Sequence, residues 1–393
     1  MKVMLFANTD WYLYNFRLLL ATALRANGFE VVFVSPPGSY SQRLVEAGFR
    51  WISFPMSRRG VNPLAELVTI ARLVRLYRLE QPSLVHHFTV KCVLYGSVAA
   101  RIAGVTAIVN SIPGLGYVFS NDSVQARVLR ALSKIFYRLA LAKTHVVFQN
   151  PENRDLFARE GLLYGRDSYL IRGSGVDVAL FSPSTHGTRA GPRLVLLAAR
   201  LLWAKGIAEF VEAAALVHAT MPDVVFQVIG AGDPGNPDNI PQDVIERWGR
   251  STRLKFLGHQ DNMSFLLKQS DISVLPSYYG EGVPRILIEA AACGLPLVAS
   301  DVSGCREIVK HGVNGILVPI KNSQALADAI MMLLRDDPLR ERMGKMSRKI
   351  ACEEFSDKRV IAETLDVYRL AGLPVATGAK AAERFVGTPR ITP

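Results

Sequence analysis

An α/β protein with two domains, each built around its own parallel β-sheet, is the fold class that the sequence predicts. The chain has 393 residues, which suits two domains of ordinary size better than one. A succession of strand, loop, helix and strand at residues 2–34 recurs at residues 193–229. Short apolar runs that alternate with helical periods are typical of parallel sheets covered by helices on both faces. Two such successions therefore predict two sheets.

The first domain begins with a predicted strand at Lys2–Ala7 and a predicted helix at about Phe16–Asn27. Gly28 follows at the position where a glycine commonly ends a helix. Glu30–Val34 is the next predicted strand. The second domain repeats this order, with a strand at Arg193–Ala198 and a helix that begins at about Ile207.

The boundary between the domains is predicted from composition. The segment SPSTHGTRAGP, which ends at Pro192, is rich in Ser, Thr, Gly and Pro. We predict a first domain over 1–182, a linker over 183–192 and a second domain with C-terminal helices over 193–371. The remaining residues, 372–393, are predicted to be a loose tail.

The composition excludes several classes of protein. Hydrophobic residues make up 49% of the chain and charged residues 20%, which excludes a wholly disordered chain. The four cysteines lie far apart without a C-x-x-C pair, so neither a disulfide scaffold nor a structural zinc site is predicted. The sequence predicts no signal peptide and no transmembrane helix, and we expect a cytoplasmic protein.

The positive charge is concentrated in the first domain. The net charge is +12, of which +10 falls within residues 1–180 and +2 in the rest. This asymmetry predicts an anionic partner, which charge alone leaves open among a membrane, a nucleic acid and a phosphorylated substrate. An uneven charge without a specific role is the alternative.

One strand–loop–helix unit of the second domain carries the clearest chemical signal. A buried strand is predicted at Ile272–Leu275, and Pro284 suits the first turn of the helix that Gly294 ends. The N–H groups of Gly282 and Val283 then lie at the positive helix end, where they can hold anions or hydroxyl oxygens. Two glutamates flank this turn, Glu281 and Glu289. The alternatives are a solvated loop carboxylate for Glu281 and a buried capping or salt-bridge role for Glu289.

The pattern E-G-V-P-R-x-x-x-E from Glu281 to Glu289 resembles the signature of the retaining glycosyltransferases of family 4, which have the GT-B fold. The resemblance extends over nearly the whole chain. It includes Arg200 and Lys205 in RLLWAKG, the turn Gly230–Asp233, and Leu257–His259. It implies two Rossmann-like domains that face each other across a cleft, with a C-terminal helix that returns to the first domain.

The first domain resembles the branch that extends sugars on undecaprenyl diphosphate, which includes N-acetylgalactosaminyl and other hexosaminyl transferases. The segments that carry this resemblance are Leu13–Arg17, His86–Lys91, Tyr95–Ser97, Gly114–Phe119, Phe148–Pro151 and Gly173–Asp177. The implied reaction moves a sugar from a UDP-sugar to a polyprenyl-diphosphate saccharide, with retention of configuration and without a cofactor.

The resemblance also implies roles for individual residues. Glu281, Arg200 and Lys205 are predicted to be catalytic, the two cations by stabilising the leaving diphosphate. The predicted donor-binding residues are Glu289, Gly282, Val283, Pro284, Gly230, Gly232, His259 and Asn15. Many members carry a histidine after the strand that here reads Ala107–Val109, where this chain has none. We therefore consider His87 as a catalytic candidate, with a packed strand-end histidine as the alternative.

Two basic segments predict contact with the acceptor or with an anionic membrane surface. Arginines recur at every third position in one, and cations form one face of the other. The candidates are Arg72, Arg75, Arg78, Arg127, Arg130, Lys134 and Tyr117. In the alternative interpretation, the apolar stripes pack on the sheet and the cations are a solvated face. We expect a peripheral protein at the inner face of the cell membrane that binds no nucleic acid.

The sequence contains no D-x-D triplet, so a metal clamp on the diphosphate has no obvious ligands, and transfer without a metal is predicted. Three alternatives remain open. The first is a lipopolysaccharide or capsule glycosyltransferase that uses another hexose or nucleotide. The second is a UDP-sugar 2-epimerase, and the third is a non-enzymatic membrane- or nucleic-acid-binding protein. An NAD-dependent dehydrogenase is disfavoured because neither first turn reads G-x-G-x-x-G.

Overall fold

The structure is a computed structural model, and it divides the chain into two compact units. The first contains Met1–Gly175 together with the chain from Asp357 onward, and the second contains Val176–Ser356. The residues described are 1–57, 62–114, 134–163, 167–184, 191–251, 253–278 and 282–375.

Each unit contains one parallel sheet, as the sequence predicted. The seven strands of the first sheet are β1 (Lys2–Phe6), β2 (Glu30–Ser35), β3 (Arg50–Ser53), β4 (Leu84–Phe88), β5 (Ala107–Ile112), β6 (His145–Phe148) and β7 (Ser168–Leu170). The six of the second are β8 (Leu194–Ala198), β9 (Val225–Ile229), β10 (Leu254–Phe256), β11 (Ile272–Leu275), β12 (Leu297–Ser300) and β13 (Gly315–Val318). All pairings between these strands are parallel.

Helices connect the strands. In the first unit they are α1 (Asp10–Ala26), α2 (Ser41–Glu46), α3 (Pro63–Glu80), α4 (Val90–Ala103) and α5 (Pro151–Arg159). In the second they are α6 (Ile207–His218), α7 (Gln242–Ser251), α8 (Met263–Lys268), α9 (Arg285–Ala292), α10 (Ser303–Ile308), α11 (Ser323–Arg335) and α12 (Asp337–Glu354). The last helix is α13 (Asp357–Leu370), and residues 134–140 are also helical.

The strand order reverses once in each sheet. The orders are β3-β2-β1-β4-β5-β6-β7 and β10-β9-β8-β11-β12-β13. The reversal places β1 beside β4 in the first sheet and β8 beside β11 in the second. Open parallel sheets bind ligands outside the carboxyl ends of the strands at such a reversal. The fold therefore indicates where to look for a site in each unit.

Helix α1 begins earlier than its predicted start at Phe16. Its N-cap is Thr9, whose hydroxyl oxygen accepts a hydrogen bond from the N–H of Tyr12 at 3.2 Å. Asp10 adds a negative charge to the first turn, where it complements the helix dipole. The aromatic residues of this turn obscured the helical period in the sequence. Helix α1 therefore starts directly after β1 and brings its first turns to the carboxyl end of the sheet.

Helix α13 belongs to the first unit, so the second unit ends at Ser356 and not at residue 371 as the sequence predicted. The buried residues Ile361, Leu365 and Tyr368 of α13 join the same apolar core as α1. Because α13 directly follows α12 in the chain, the sequence suggested that both belong to the second unit. The apolar stripe of α13 instead completes the core of the first unit. The predicted return of the C-terminal helix to the first domain is thus observed.

None of the helices in the described part of the chain is both long enough and apolar enough to cross a membrane.

Candidate active site

Two loops of the second unit meet at the carboxyl ends of β8 and β11. The carbonyl oxygen of Ala204, in the loop after β8, accepts hydrogen bonds from the N–H of Tyr278 at 3.0 Å and from the hydroxyl of Ser277 at 3.1 Å. Gly206, with φ +72°, starts α6 so close to Pro276 that an added Cβ would lie 2.2 Å from the Pro276 carbonyl oxygen. The start of α6 and the segment after β11 are therefore held side by side.

A third loop packs against them through Gly230, which follows β9. Its φ is +146°, and an added Cβ would lie 1.8 Å from the carbonyl oxygen of Ala199. The N–H of Gly230 donates to the carbonyl oxygen of Gly258 at 2.8 Å. Gly232 is also tightly placed, because an added Cβ would lie 3.0 Å from Oδ1 of Asn239. The predicted G-x-G turn is therefore a point where backbone segments approach closely.

Arg200 extends from the loop after β8, and its side chain is 55% exposed. Its Nη1 donates to Oδ2 of Asp233 at 2.8 Å. Asp233 is held in turn, since its N–H donates to Oδ1 of Asn239 at 2.7 Å. An exposed guanidinium that one carboxylate orients from behind retains other N–H groups with which to bind an anion. Its anchor Asp233 stands in the G-x-G-D turn that the sequence singled out.

Lys205 lies in a 3₁₀ turn, Trp203–Lys205, immediately before α6, and is partly buried. This turn is fixed by Asp238, whose Oδ2 accepts a hydrogen bond from the N–H of Ala204 at 2.9 Å. The carbonyl oxygen of Asp238 also accepts from the N–H of Trp203 at 2.9 Å. Asp238, which positions this turn, was not among the residues predicted from the sequence. A carboxylate within the loop DPGNPDN was the available signal, because such residues often bond to backbone N–H groups.

The segment before α9 supplies the backbone of the predicted donor loop. Val283 and Pro284 are buried, Gly282 is partly buried, and Pro284 is the N-cap of α9 instead of its first helical residue. The helix ends at Ala292, and Gly294, with φ +78°, follows its C-cap as predicted. Glu281, the other predicted catalytic residue, lies outside the described residues.

Glu289 is buried on α9, where its Oε1 accepts a hydrogen bond from Nε of Arg285 at 2.7 Å. Burial raises the pKa of Glu289, and the positive charge of Arg285 acts in the opposite direction. This geometry corresponds to the salt-bridge alternative that the sequence left open. One carboxylate oxygen is therefore engaged within the helix, and contact of Glu289 with a ribose stays a prediction.

The two remaining predicted donor ligands lie in different units. His259 is exposed in the loop after β10, with its Nε2 3.3 Å from Oδ1 of Asp261. Asn15 lies on α1 of the first unit, and its Nδ2 donates to the carbonyl oxygen of Trp11 at 3.0 Å.

His87 is a packed histidine at the end of β4, and its catalytic assignment is not supported. The side chain is fully buried, and its ring nitrogens lie 3.0 Å from the hydroxyl of Tyr77 and 2.9 Å from Oδ1 of Asn110. An added Cβ at Gly96 would lie 2.5 Å from the ring. Burial lowers the pKa of His87 to about 4, so the imidazole is neutral near pH 7. The sequence showed a histidine at a strand end, but only the packing of α3 and α4 closes over it.

The residues that were predicted to contact the membrane or the acceptor differ in their surroundings. Arg72, Arg75 and Arg78 are exposed along α3. Lys134 forms an ion pair with Glu160 and is therefore less available to an outside anion. The other members of this set, Arg127, Arg130 and Tyr117, lie outside the described residues.

Two protein families match the chain, each over a different part of it. Residues 2–150 match the family described as glycosyl transferase 4-like, and residues 181–350 match glycosyl transferases group 1. N,N′-diacetylbacillosaminyl-diphospho-undecaprenol α-1,3-N-acetylgalactosaminyltransferase from Campylobacter jejuni is 27% identical over 92% of this chain and 96% of its own length. UDP-Gal:α-D-GlcNAc-diphosphoundecaprenol α-1,3-galactosyltransferase from Escherichia coli is 25% identical over 80% of this chain and 82% of its own length.

Solved structures share the architecture. HepE from Anabaena, in complex with UDP and glucose, has a TM-score of 0.75 and 22% identity over 95% of this chain and 100% of that chain. Sucrose-phosphate synthase from Thermosynechococcus elongatus has a TM-score of 0.76 and 21% identity over 94% of this chain and 98% of that chain. At this level of identity the likeness establishes a shared fold.

Proposed function

The chain belongs to the glycosyltransferases of the GT-B fold, and on this premise we propose a specific reaction for it. The enzyme transfers an N-acetylhexosamine from a UDP-sugar to a saccharide carried on undecaprenyl diphosphate, in the synthesis of a bacterial surface glycan or glycoprotein. The observation that carries the proposal is the placement of Arg200 and Lys205 in one loop at the carboxyl end of β8. The two curated relatives, which act on undecaprenyl-diphosphate sugars, support the acceptor class.

The proposed chemistry follows from the charges that develop in the reaction. When the sugar leaves its nucleotide, negative charge builds on the diphosphate and positive charge builds on the sugar ring. Arg200 provides N–H groups in a planar fork and Lys205 provides a compact charge, so both stabilise the departing diphosphate. We expect the N–H groups before α9 to add to this effect. The acceptor hydroxyl bonds to the anomeric carbon on the face from which the phosphate leaves, and its proton passes to that phosphate, so the product retains the anomeric configuration.

We expect transfer without a divalent metal, because the two cations perform the charge stabilisation that a metal would otherwise supply. Transfer of labelled sugar to the lipid-linked acceptor should therefore continue at an unchanged rate in excess EDTA. The anomeric coupling of the product by NMR should show the configuration of the donor. Loss of transfer in EDTA that only Mg²⁺ restores would contradict metal independence.

Binding of the donor nucleotide should be visible as thermal stabilisation of the purified protein. A ligand at 100 times its dissociation constant adds about 2.7 kcal/mol to the free energy of unfolding. We expect a response to UDP and UDP-N-acetylhexosamines in a panel that also contains UDP-galactose, GDP, ADP and dTDP and their sugars. A response to UDP-galactose or to a GDP- or dTDP-sugar alone would favour a capsule or lipopolysaccharide transferase that uses another hexose. If the protein is folded and no compound of the panel raises its unfolding temperature, the result would contradict a nucleotide-sugar donor.

The surface of α3 supports a peripheral location at an anionic membrane. Leu64 and Leu79 are 74% and 72% exposed, and Leu67, Val68 and neighbouring Ile102 are also exposed. Leu67, Leu79 and Ile102 also line a groove of about 590 Å³, together with Ile70, Ala71, Val74, Arg75 and Arg78. Exposed apolar residues beside exposed arginines complement a bilayer with anionic head groups. We therefore propose that α3 lies against the inner face of the cell membrane.

Flotation with vesicles tests this location. Anionic vesicles at low salt should carry the wild-type protein, and a triple variant, R72Q/R75Q/R78Q, should lose most of the bound fraction. The reason is that each cation near the surface contributes about 1 kcal/mol to binding. The triple variant R247Q/R250Q/R253Q removes the same charge from the second unit and should float like the wild type. Equal losses in both variants would show that vesicle binding depends on the net charge of the protein and not on the position of the arginines on α3.

A further inference from the structure

Among the residues that the structure describes, the buried guanidinium of Arg17 on α1 has no anionic partner. The residue is 5% exposed, and its Nη2 donates to the hydroxyl of Tyr12 at 2.8 Å. Its Nε is buried and has no hydrogen-bond acceptor among the residues that the structure describes. Within the same residues, no carboxylate forms an ion pair with it. A buried cation without a counter-charge is costly for a fold, which makes it a candidate for binding an anion.

The groups behind Arg17 provide no negative charge. His86 bonds to the hydroxyls of Tyr368 and Ser111, each at 2.7 Å. Burial, reinforced by the charge of Arg17, lowers the pKa of His86, so the imidazole is neutral. Burial raises the pKa of Tyr368, so its phenol is neutral as well. The network therefore holds the wall of the site in place and leaves the guanidinium uncompensated.

Aromatic rings surround the guanidinium. Its carbon lies 4.3 Å from the ring centre of Phe88 and 5.5 Å from that of Tyr12. Phe16 packs against Tyr12, with ring centres 5.0 Å apart, and against Trp11, with ring centres 5.3 Å apart. Trp11 is 41% exposed and forms the outer end of this cluster. Flat apolar faces beside a fixed cation suit a ligand that joins a sugar to a phosphate.

The cluster stands at the reversal point of the first sheet. Tyr12 and Arg17 lie on the first two turns of α1, directly after β1, and Phe88 is the last residue of β4. Strands β1 and β4 are neighbours, so the cluster lies at the carboxyl edge where open parallel sheets bind ligands. The exposed start of α3 lies at the same edge, where Lys91 at the start of α4 bonds to Glu66 at 2.6 Å.

We propose that Arg17 and the aromatic cluster of Trp11, Tyr12 and Phe16 form the head-group subsite of the acceptor. Arg17 binds a phosphate of the lipid-linked diphosphate, and the exposed ring of Trp11 stacks on the attached sugar. This assignment rests on the proposed function, since it takes the acceptor to be a diphosphate-linked saccharide. Beyond that function, the assignment names the residues with which the enzyme would distinguish a diphosphate-linked acceptor from a neutral sugar.

The test compares two acceptors that carry the same saccharide, one on a short polyprenyl diphosphate and the other as a neutral alkyl glycoside. With a UDP-sugar donor, the wild type should prefer the diphosphate acceptor. Arg17→Met should raise KM for that acceptor by about 10- to 100-fold, the size expected for a lost charged hydrogen bond, and leave KM for the glycoside unchanged. Trp11→Ala should raise KM for both acceptors. Thermal stabilisation by the donor nucleotide should be the same in all proteins.

A preference for the diphosphate acceptor that persists in Arg17→Met would overturn the proposal. If that variant does not fold, Arg17→Gln provides the same test, because it removes the charge and keeps a polar side chain. An unchanged acceptor preference in Arg17→Gln would then count against the proposal. A wild type that transfers to neither acceptor, or that no UDP compound stabilises, contradicts the proposed function instead.

Discussion

Replacing Arg200 by alanine is expected to lower kcat by about 10²- to 10³-fold, the cost of removing one group that stabilises charge in a transition state. In the proposed mechanism, the guanidinium, which Asp233 orients at 2.8 Å, meets its full counter-charge only when the diphosphate departs. KM for the donor should change less than kcat, because the interaction is stronger in the transition state than in the ground state. Steady-state transfer to the lipid-linked acceptor measures both constants.

Arg247→Ala is the matched control for this prediction. Arg247 is an exposed arginine of the second unit that also pairs with an aspartate, Asp243, at 3.2 Å. Its removal should leave kcat unchanged. A rise in KM for the donor with an unchanged kcat in Arg200→Ala would show uniform binding and would contradict a role in the transition state.

Replacing Gly230 by alanine is expected to reduce the free energy of unfolding of the enzyme by about 3–5 kcal/mol, at the upper end of single substitutions. The added Cβ would lie 1.8 Å from the carbonyl oxygen of Ala199, a backbone atom that no rotamer change can move. The φ of +146° also disfavours a side chain. Urea unfolding followed by circular dichroism measures the loss.

Gly312→Ala separates backbone strain from the steric clash. Gly312 also belongs to the second unit and has a positive φ of +76°, but an added Cβ would meet open space. Its replacement should cost only about 1 kcal/mol. An equal cost at the two positions would mean that strain alone accounts for the effect and that the approach of Gly230 to Ala199 is not tight in solution.

The features that the sequence predicted correctly arise from local physics. The strands β1, β2, β8, β9, β11 and β12 are short, largely apolar runs, which are typical of a parallel sheet that helices cover on both faces. Gly28 and Gly294 follow their helices with positive φ, as their spacing predicted. Arg200 and Lys205 follow β8 within seven residues, so no long-range contact was needed to place them in one loop.

The sequence by itself therefore determined the two parallel sheets, the glycines that follow α1 and α9 and the cations after β8, because each depends on residues that are near one another in the chain. Tertiary packing decided the rest. His87 is buried because α3 and α4 close over it, and Glu289 is buried because α9 packs in the core of the second unit. Helix α13 joins the first core, where Tyr368 bonds to His86 behind the uncompensated charge of Arg17. These contacts join residues up to 282 positions apart, and no local pattern encodes burial over such a separation.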